Sequence, residues 1–133
     1  MKIVVLDDYQ RCASRLAPWD ALGGEVDFVH EHLLGDALVE VLRGADVVVA
    51  MRERTPFDRA RLKRLPNLKL LVTTGMRNAS IDVAAAQERG IVVSGTGGVS
   101  AATAELTWAL ILALARHVPA EDRNMREGAV FER

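Results

Sequence analysis

Five short runs rich in β-branched residues recur along the chain, and they constrain its fold more than any other feature. They are residues 2–6, 26–30, 46–50, 68–73 and 91–94. The first, third and fourth runs are continuously apolar rather than alternating, which is typical of parallel strands covered on both faces. The second run alternates, which favours a strand at the edge of a sheet.

Segments with helical character separate these runs. They are expected at residues 35–42, at residues 56–65 with Thr55 as N-cap, and at residues 81–89 with Gly90 closing the helix. Strands that alternate with helices predict an α/β fold with an open parallel sheet and right-handed crossovers. We expect five strands in the flavodoxin-like order 2-1-3-4-5.

A further helix, residues 101–117, is apolar almost all the way round, so it must be buried in protein or lipid. It is at the short limit for a membrane span and contains Glu105, which disfavours membrane insertion. Pro119 is expected to break it, and a second short helix should follow over residues 120–127. The chain is therefore expected to comprise a core domain, residues 1–99, and a connector, residues 100–133.

Composition narrows the class of protein. Half of the residues are apolar, a quarter are charged and the net charge is −1, which is the balance of a soluble globular protein without a nucleic-acid-binding stripe. The single Cys12 excludes an intrachain disulfide, and no cysteine cluster suggests a metal site. The N-terminal apolar run is too short for a signal peptide, so the reducing cytoplasm is the expected compartment.

Ligands of open parallel sheets bind outside the carboxyl ends of the strands, where four segments of this chain are expected. The first contains Asp7 and Asp8, which suggest the magnesium site of a phosphoryl-accepting receiver domain. That site also needs an aspartate after the third strand and a lysine after the fifth, where this chain has Ala50–Met51 and Ser94–Gly95. A solvated acidic turn is therefore the favoured interpretation of Asp7 and Asp8.

A glycine cluster, residues 95–98, follows the fifth run and precedes the long helix, as a dinucleotide-binding turn would. Its third small position is Ser100, it does not open a βαβ unit, and no later strand ends in an acidic residue for a ribose. Asp122 lies at a suitable spacing but on a helix. A flexible hinge between domains is the favoured interpretation.

The segment TTGMRNASID, residues 73–82, is the sharpest candidate for a binding site. Gly75 permits a tight turn in which successive backbone amides point into one concavity, which suits an anion such as a carboxylate. Arg77 adds a cation, Asn78 offers donor and acceptor groups, and Arg52 can reach the same position from the preceding loop. A plain turn with solvated arginines is equally compatible with these residues.

Of the three histidines, His30 and His32 have no cysteine or carboxylate at metal-ligand spacing. His30 and His32 flank the end of a strand, and His117 ends a helix, where its charged form would favour the helix dipole. We expect each of them to be structural.

The chain as a whole resembles a known family. An RxRT loop, the segment LPNLKLLVTTGMRNASIDVAAAQERGIVVSGT and the segment TAELTWALILALAR occur in the same order in the N-terminal part of the D-isomer-specific 2-hydroxyacid dehydrogenases, which include the phosphoglycerate dehydrogenase-like enzymes. The resemblance spans the chain and is densest over residues 65–117. It implies a flavodoxin-like substrate domain, followed by a helix that crosses into an NAD-binding Rossmann domain.

The resemblance also implies roles for particular residues. Arg52 would lie at the mouth of the cleft, Thr103 would lie near the nicotinamide side of the cofactor, and Glu105 would be structural. The substrate carboxylate would be held through the backbone amides of Gly75, Met76, Arg77 and Asn78.

The family's G-x-G-x-x-G segment would follow shortly after residue 133, and its catalytic arginine, glutamate and histidine would lie later still. We therefore assign no catalytic residue to this chain. We expect a truncated enzyme that uses NAD or NADP to interconvert a 2-hydroxy acid and a 2-keto acid, that is inactive alone and that binds no cofactor tightly. The alternative is a stand-alone flavodoxin-like binding or dimerisation module. We also expect a homodimer through residues 101–117.

Overall fold

The computed structural model describes residues 1–128 and contains one five-stranded parallel sheet. The strands are β1 Lys2–Val5, β2 Glu25–Phe28, β3 Val47–Ala50, β4 Leu70–Thr73 and β5 Val92–Gly95. Their order is β2-β1-β3-β4-β5, and every neighbouring pair is parallel. The predicted α/β fold, the flavodoxin-like strand order and the edge position of the second run are confirmed.

Helices connect the strands in the expected α/β sequence. They are α1 Ala13–Leu16, a 3₁₀ helix Trp19–Leu22, α2 Gly35–Leu42, α3 Arg59–Lys63, α4 Val83–Glu88, α5 Ser100–Ala115 and α6 Val118–Arg126. The bounds of α2 are those predicted. The two elements between β1 and β2 were not predicted, because four residues are too few to show a helical period.

Helix α3 begins later than the sequence predicts, and Thr55 is not its N-cap. The N-cap is Asp58, whose carboxylate accepts a hydrogen bond from the amide of Arg61 at 2.7 Å. The preceding segment is extended, because the fully buried Phe57 forms a bridge to Ile81 and its amide donates to the carbonyl of Ser80. The three-residue delay therefore places Phe57 in the core.

Helix α4 also starts later than predicted, with Asp82 as its N-cap. The carboxylate of Asp82 accepts a hydrogen bond from the amide of Ala85 at 2.8 Å. Gly90 follows the helix with φ +71°, the left-handed conformation that its predicted capping position requires.

The hydrophobic core lies between one face of the sheet and helices α2, α3 and α4. Val4, Val48 and Leu71 on this face are fully buried, and they belong to one apolar cluster with side chains of the three helices. The helix residues of this cluster are Leu38, Leu42, Leu62, Ala85 and Ala86.

The opposite face of the sheet is covered unevenly. Ile3 and Val5 are buried, whereas the outward residues of β3 and β4 are half-buried, so that burial alternates along both strands. These residues line an apolar cleft of about 520 Å³ beside Trp19. Within residues 1–128, the prediction that all the central strands are fully covered on both faces is therefore wrong for β3 and β4.

The chain divides into two compact units, the first of which is Met1–Gly98. The second begins at Val99 and contains α5 and α6; the last five residues of the predicted connector lie outside the described residues. His117, in the left-handed conformation with φ +52°, separates the two helices, and Pro119 lies in the first turn of α6 rather than breaking a helix. No helix within residues 1–128 has both the length and the hydropathy of a membrane span.

Candidate functional site

The loops that follow β3 and β4 lie side by side at the carboxyl edge of the sheet. We call them the β3 loop, residues 51–58, and the β4 loop, residues 74–82. Both strands are parallel neighbours, with Ala50 paired to Thr73 at their ends. The topology therefore brings together the two segments in which the sequence placed its candidate anion site.

Gly75 is the pivot of the β4 loop. Its φ of +125° is a conformation that residues with a Cβ rarely adopt. A methyl group at this position would lie 3.0 Å from Cζ of Arg52 and closer still to a terminal guanidinium nitrogen. The turn thus favours glycine, and any side chain at this position would displace the guanidinium of Arg52.

Arg52 joins the two loops through its backbone. It adopts the left-handed conformation with φ +54°, and its amide donates to Oγ1 of Thr74 at 3.1 Å. One guanidinium nitrogen lies 3.4 Å from the carbonyl oxygen of Thr74, and most of the side chain remains exposed. The cation is therefore held over the β4 loop while facing solvent.

The side chain of Asn78 also joins the β4 loop to the β3 loop. Its side-chain amide donates to the carbonyl of Arg52 and to Oγ1 of Thr73, the second at 3.0 Å. Its side-chain oxygen accepts from the amide of Ser80 at 2.9 Å. Both ends of the Asn78 side chain are thus engaged with protein, and this residue fixes the shape of the loop.

Between Gly75 and Asn78 lie Met76 and Arg77, whose side chains are exposed. Among residues 1–128, the amides of Met76, Arg77 and Asn78 form no hydrogen bond to a protein acceptor. The amide of Gly75, by contrast, donates to Oγ1 of Thr96 at 2.8 Å. Three successive amide groups beside two exposed arginines therefore remain available to an anion.

The first two residues of the glycine cluster, Gly95 and Thr96, contact the β4 loop. Gly95 is the last residue of β5, and a Cβ there would lie 2.7 Å from the carbonyl oxygen of Gly75. The amide of Thr96 donates to the carbonyl oxygens of Thr73 and Gly75. The predicted hinge therefore does not include Gly95 or Thr96, because both are packed or bonded against the β4 loop.

Asp7 is not a solvated residue, and its prediction as part of an exposed acidic turn is wrong. It retains 2% exposure, and its carboxylate accepts hydrogen bonds from the hydroxyls of Thr55 and Tyr9, each at 2.8 Å. His32 Nδ1 lies 3.1 Å from the same carboxylate. A buried carboxylate with these partners is stable because its hydrogen bonds replace those lost from water.

Asp8 is equally buried, at 3% exposure, so the prediction of a solvated turn is wrong for this residue too. Its partners differ from those of Asp7. Burial raises the pKa of its carboxyl, while hydrogen bonds from the amides of Cys12 and Ala13 lower it, aided by His30. The lowering contributions prevail, and the pKa of Asp8 lies below its ordinary value. Asp8 therefore anchors the beginning of α1 in its ionised form.

Tyr9 and Arg54 complete the surroundings of Asp7. The guanidinium of Arg54 lies 4.6 Å from the centre of the Tyr9 ring and donates to the carbonyl of Asp7 at 2.9 Å. The hydrogen bond from Tyr9 to Asp7 raises the pKa of the tyrosine hydroxyl, and burial and the charge of Asp7 act in the same direction. The charge of Arg54 lowers this pKa, but the raising effects prevail. Sequence reasoning missed these contacts, since residues 47 positions apart carry no local signal of their pairing.

The remaining candidate residues lie elsewhere. Thr103 lies in the first turn of α5, in the second unit, where its carbonyl accepts the hydroxyl of Thr107. His30 and His32 contact Asp8 and Asp7, as structural residues would. Within residues 1–128, no three histidine, cysteine or carboxylate side chains cluster in a way that could hold a metal ion.

Comparison with known proteins identifies the family to which this arrangement belongs. Residues 3–127 match the model of the catalytic domain of the D-isomer-specific 2-hydroxyacid dehydrogenases. The chain belongs to this family. Its resemblance to the phosphoglycerate dehydrogenase-like members, inferred from the whole chain and densest over residues 65–117, is confirmed.

Individual relatives agree with the family model. A hydroxypyruvate reductase of Thermotoga maritima is 36% identical over 78% of this chain, and the match spans 34% of that reductase. A phosphoglycerate oxidoreductase of Vibrio cholerae is 36% identical with a TM-score of 0.84, over 99% of this chain and 42% of the other. An NAD-dependent formate dehydrogenase of Staphylococcus aureus, solved with NAD, is 27% identical with a TM-score of 0.63, over 98% and 43% of the two chains. The chain thus spans less than half the length of these relatives.

Proposed function

We propose that residues 1–98 form the substrate-carboxylate half of the cleft of an NAD(P)-dependent D-2-hydroxyacid dehydrogenase. The complete enzyme would interconvert a 2-hydroxy acid and a 2-keto acid. The observation that carries this proposal is the β4 loop, in which three unpaired amides follow the pivot at Gly75 beside exposed Arg52 and Arg77.

The chemistry of this loop suits a carboxylate. Backbone amides that converge on one point make an anion-binding concavity, and a carboxylate can accept from two of them at once. We place the substrate carboxylate on the amides of Met76, Arg77 and Asn78, since that of Gly75 is already bonded to Thr96. Arg52 and Arg77 would add attraction to an anion entering from solvent.

The glycine cluster does not have the surroundings of a dinucleotide-binding turn. The glycine cluster ends an edge strand instead of opening a βαβ unit, and Thr96 uses its amide and hydroxyl on the β4 loop. NAD or NADP would supply the hydride chemistry from outside these residues. We therefore expect residues 1–133 alone to bind no NADH at up to about millimolar concentration, in the affinity range of weak complexes, and to show no turnover.

We also propose that α5 mediates a homodimer. Several of its large apolar side chains are about half exposed or more, and burying them against a second copy would contribute several kcal/mol at about 25 cal/mol per Å². These residues are Trp108, Leu110, Ile111, Leu112 and Leu114. A symmetric arrangement of two such helices is the commonest way to close an interface of this kind.

The experiment that tests carboxylate binding is an NMR titration of the isotopically labelled 133-residue chain with glyoxylate, a small 2-keto acid. We expect saturable shifts of the amide signals of Met76, Arg77 and Asn78, because each would gain a charged acceptor. Inorganic phosphate and uncharged glycerol serve as reference compounds. Shifts that are absent, or that follow phosphate equally well, would contradict the proposal.

Variants make this test specific. Arg52→Gln and Arg77→Gln should each weaken glyoxylate binding about threefold to tenfold, as expected for one exposed charge next to a charged ligand. Arg89→Gln is the matched control, since Arg89 is also exposed but precedes β5, at the amino end of the strands. An equal loss in all three variants would indicate only a general effect of net charge.

A further inference from the structure

The β3 loop is held in a conformation that its own sequence does not favour. Arg52 has a left-handed backbone, which a residue with a long side chain rarely adopts. Such conformations persist only where the surroundings over-determine them. The contacts that hold this loop therefore decide where the guanidinium and the backbone of Arg52 lie.

Two of these contacts come from Asp7, which follows β1 and is itself left-handed, with φ +59°. Its carboxylate accepts the hydroxyl of Thr55, which is 1% exposed, and its carbonyl accepts the guanidinium of Arg54. The side chains of Arg54 and Thr55, in the middle of the β3 loop, are thus both bonded to one residue that follows the neighbouring strand β1.

Residues 52 and 53, nearer the beginning of the β3 loop, are hydrogen-bonded to the β4 loop. The amide and the carbonyl of Arg52 bond Thr74 and Asn78, and the carbonyl of Glu53 accepts the hydroxyl of Ser80 at 3.4 Å. A displacement of residues 52–55 would therefore be transmitted to the β4 loop. Asp7 lies at the beginning of this series of hydrogen bonds, and the free amides of the β4 loop lie at its end.

We infer that Asp7 is a positioning residue for carboxylate binding: through Thr55 and Arg54 it fixes the β3 loop, and through Arg52 the β3 loop fixes the amides of the β4 loop. The inference rests on the proposed function, because it concerns the same site. It adds a residue that contacts no substrate and that no local motif identifies. Its carboxylate acts as a fixed acceptor, and no bond is made or broken there.

The neighbouring Asp8 provides a matched control. Asp7 and Asp8 are adjacent, equally buried and each hydrogen-bonded to protein, but the partners of Asp8 are Cys12, Ala13 and His30. Replacing either aspartate removes a buried carboxylate, whereas only Asp7 is bonded to the β3 loop. A purely structural role would make the two variants alike in glyoxylate binding.

The test uses the 133-residue chain with the variants Asp7→Ala, Thr55→Val and Asp8→Ala. Thr55→Val keeps the shape of the buried side chain and removes only the hydroxyl, so the test does not depend on whether Asp7→Ala folds. We expect Asp7→Ala and Thr55→Val to weaken glyoxylate binding on the order of tenfold, which corresponds to about 1.4 kcal/mol of binding free energy. Asp8→Ala should leave the Kd unchanged.

Amide spectra without ligand give a second readout. Thr55→Val should shift the signals of residues 52–55 and of residues 74–78, whereas Asp8→Ala should shift only those near Cys12 and His30. If the wild-type chain does not bind glyoxylate but these shifts occur, the proposed function fails and the link between the loops stands. Unchanged β4-loop signals in Thr55→Val, or equal loss of binding in Asp8→Ala, would overturn the inference.

Discussion

At the scale of single residues, Gly75 carries the strictest requirement in the candidate site. An alanine there would be strained by the φ of +125° and would displace the guanidinium of Arg52. We expect Gly75→Ala to lower the free energy of unfolding by about 1–3 kcal/mol and to weaken glyoxylate binding. Urea denaturation and the NMR titration measure these two effects.

Gly90→Ala is the control for this prediction. Gly90 is also left-handed, but a Cβ there meets no atom within 4 Å. We expect a comparable loss of about 1–2 kcal/mol from backbone strain, with glyoxylate binding unchanged. Retention of full binding in Gly75→Ala would show that the arginine does not need its present position.

The ionised form of Asp8 predicts a dependence of stability on pH. Its folded-state pKa lies below the ordinary value of 3.8, so its contribution is present above that pH and is lost as the pH falls through the folded-state pKa. The free energy of unfolding should therefore decrease below about pH 4, and by less in Asp8→Asn. Urea denaturation at about pH 7 and about pH 3 measures this difference. An equal decrease in both proteins would contradict the prediction.

At the scale of elements, the short helix α3 depends on its cap. Helices of this length are not stable on their own, and Asp58 satisfies one of the first amides of α3. We expect Asp58→Ala to cost about 1 kcal/mol, measured by urea denaturation. Asp58→Asn keeps a side-chain acceptor and should cost much less.

The position of this cap shows the limit of local reasoning about elements. Thr55 followed by proline is a good local signal for the start of a helix, and the structure uses Thr55 for a bond to Asp7 instead. The bridge between Phe57 and Ile81 requires three further residues of extended chain. Within residues 1–128, no isolated strand bridge forms at the start of helix α2, and its predicted bounds agree with the structure.

At the scale of the whole molecule, the exposed apolar side chains of α5 lead us to expect self-association. We expect the chain to sediment as a dimer at micromolar concentration, and Leu110→Glu to make it monomeric by placing a charge in the apolar interface. Met125→Glu is the matched control, because Met125 is a similarly exposed apolar residue of α6. A stable wild-type monomer that does not aggregate would contradict the proposed dimer.

The fold could be predicted from the sequence because the same pattern, a short run of β-branched residues, occurs five times along the chain. Each run of β-branched residues contributes the same evidence for a buried parallel strand, and a misplaced bound in one element does not alter the strand order. The candidate loops could be located for the same reason, since Arg52 and Gly75 each follow a predicted strand. Their contacts could not be predicted, because residues far apart in the sequence meet only after the sheet has formed.

The sequence by itself therefore determined the fold class and the family, and it indicated the β4 loop as the candidate site for a carboxylate. Only the tertiary structure decided which groups of that loop are free: the amide of Gly75 and the side chain of Asn78 are used within the protein, and the amides of residues 76–78 are not. Only the structure showed that Asp7 is buried against Thr55. The physical reason is that hydrophobic periodicity is a local property, whereas the satisfaction of a buried polar group depends on the partners that folding brings to it.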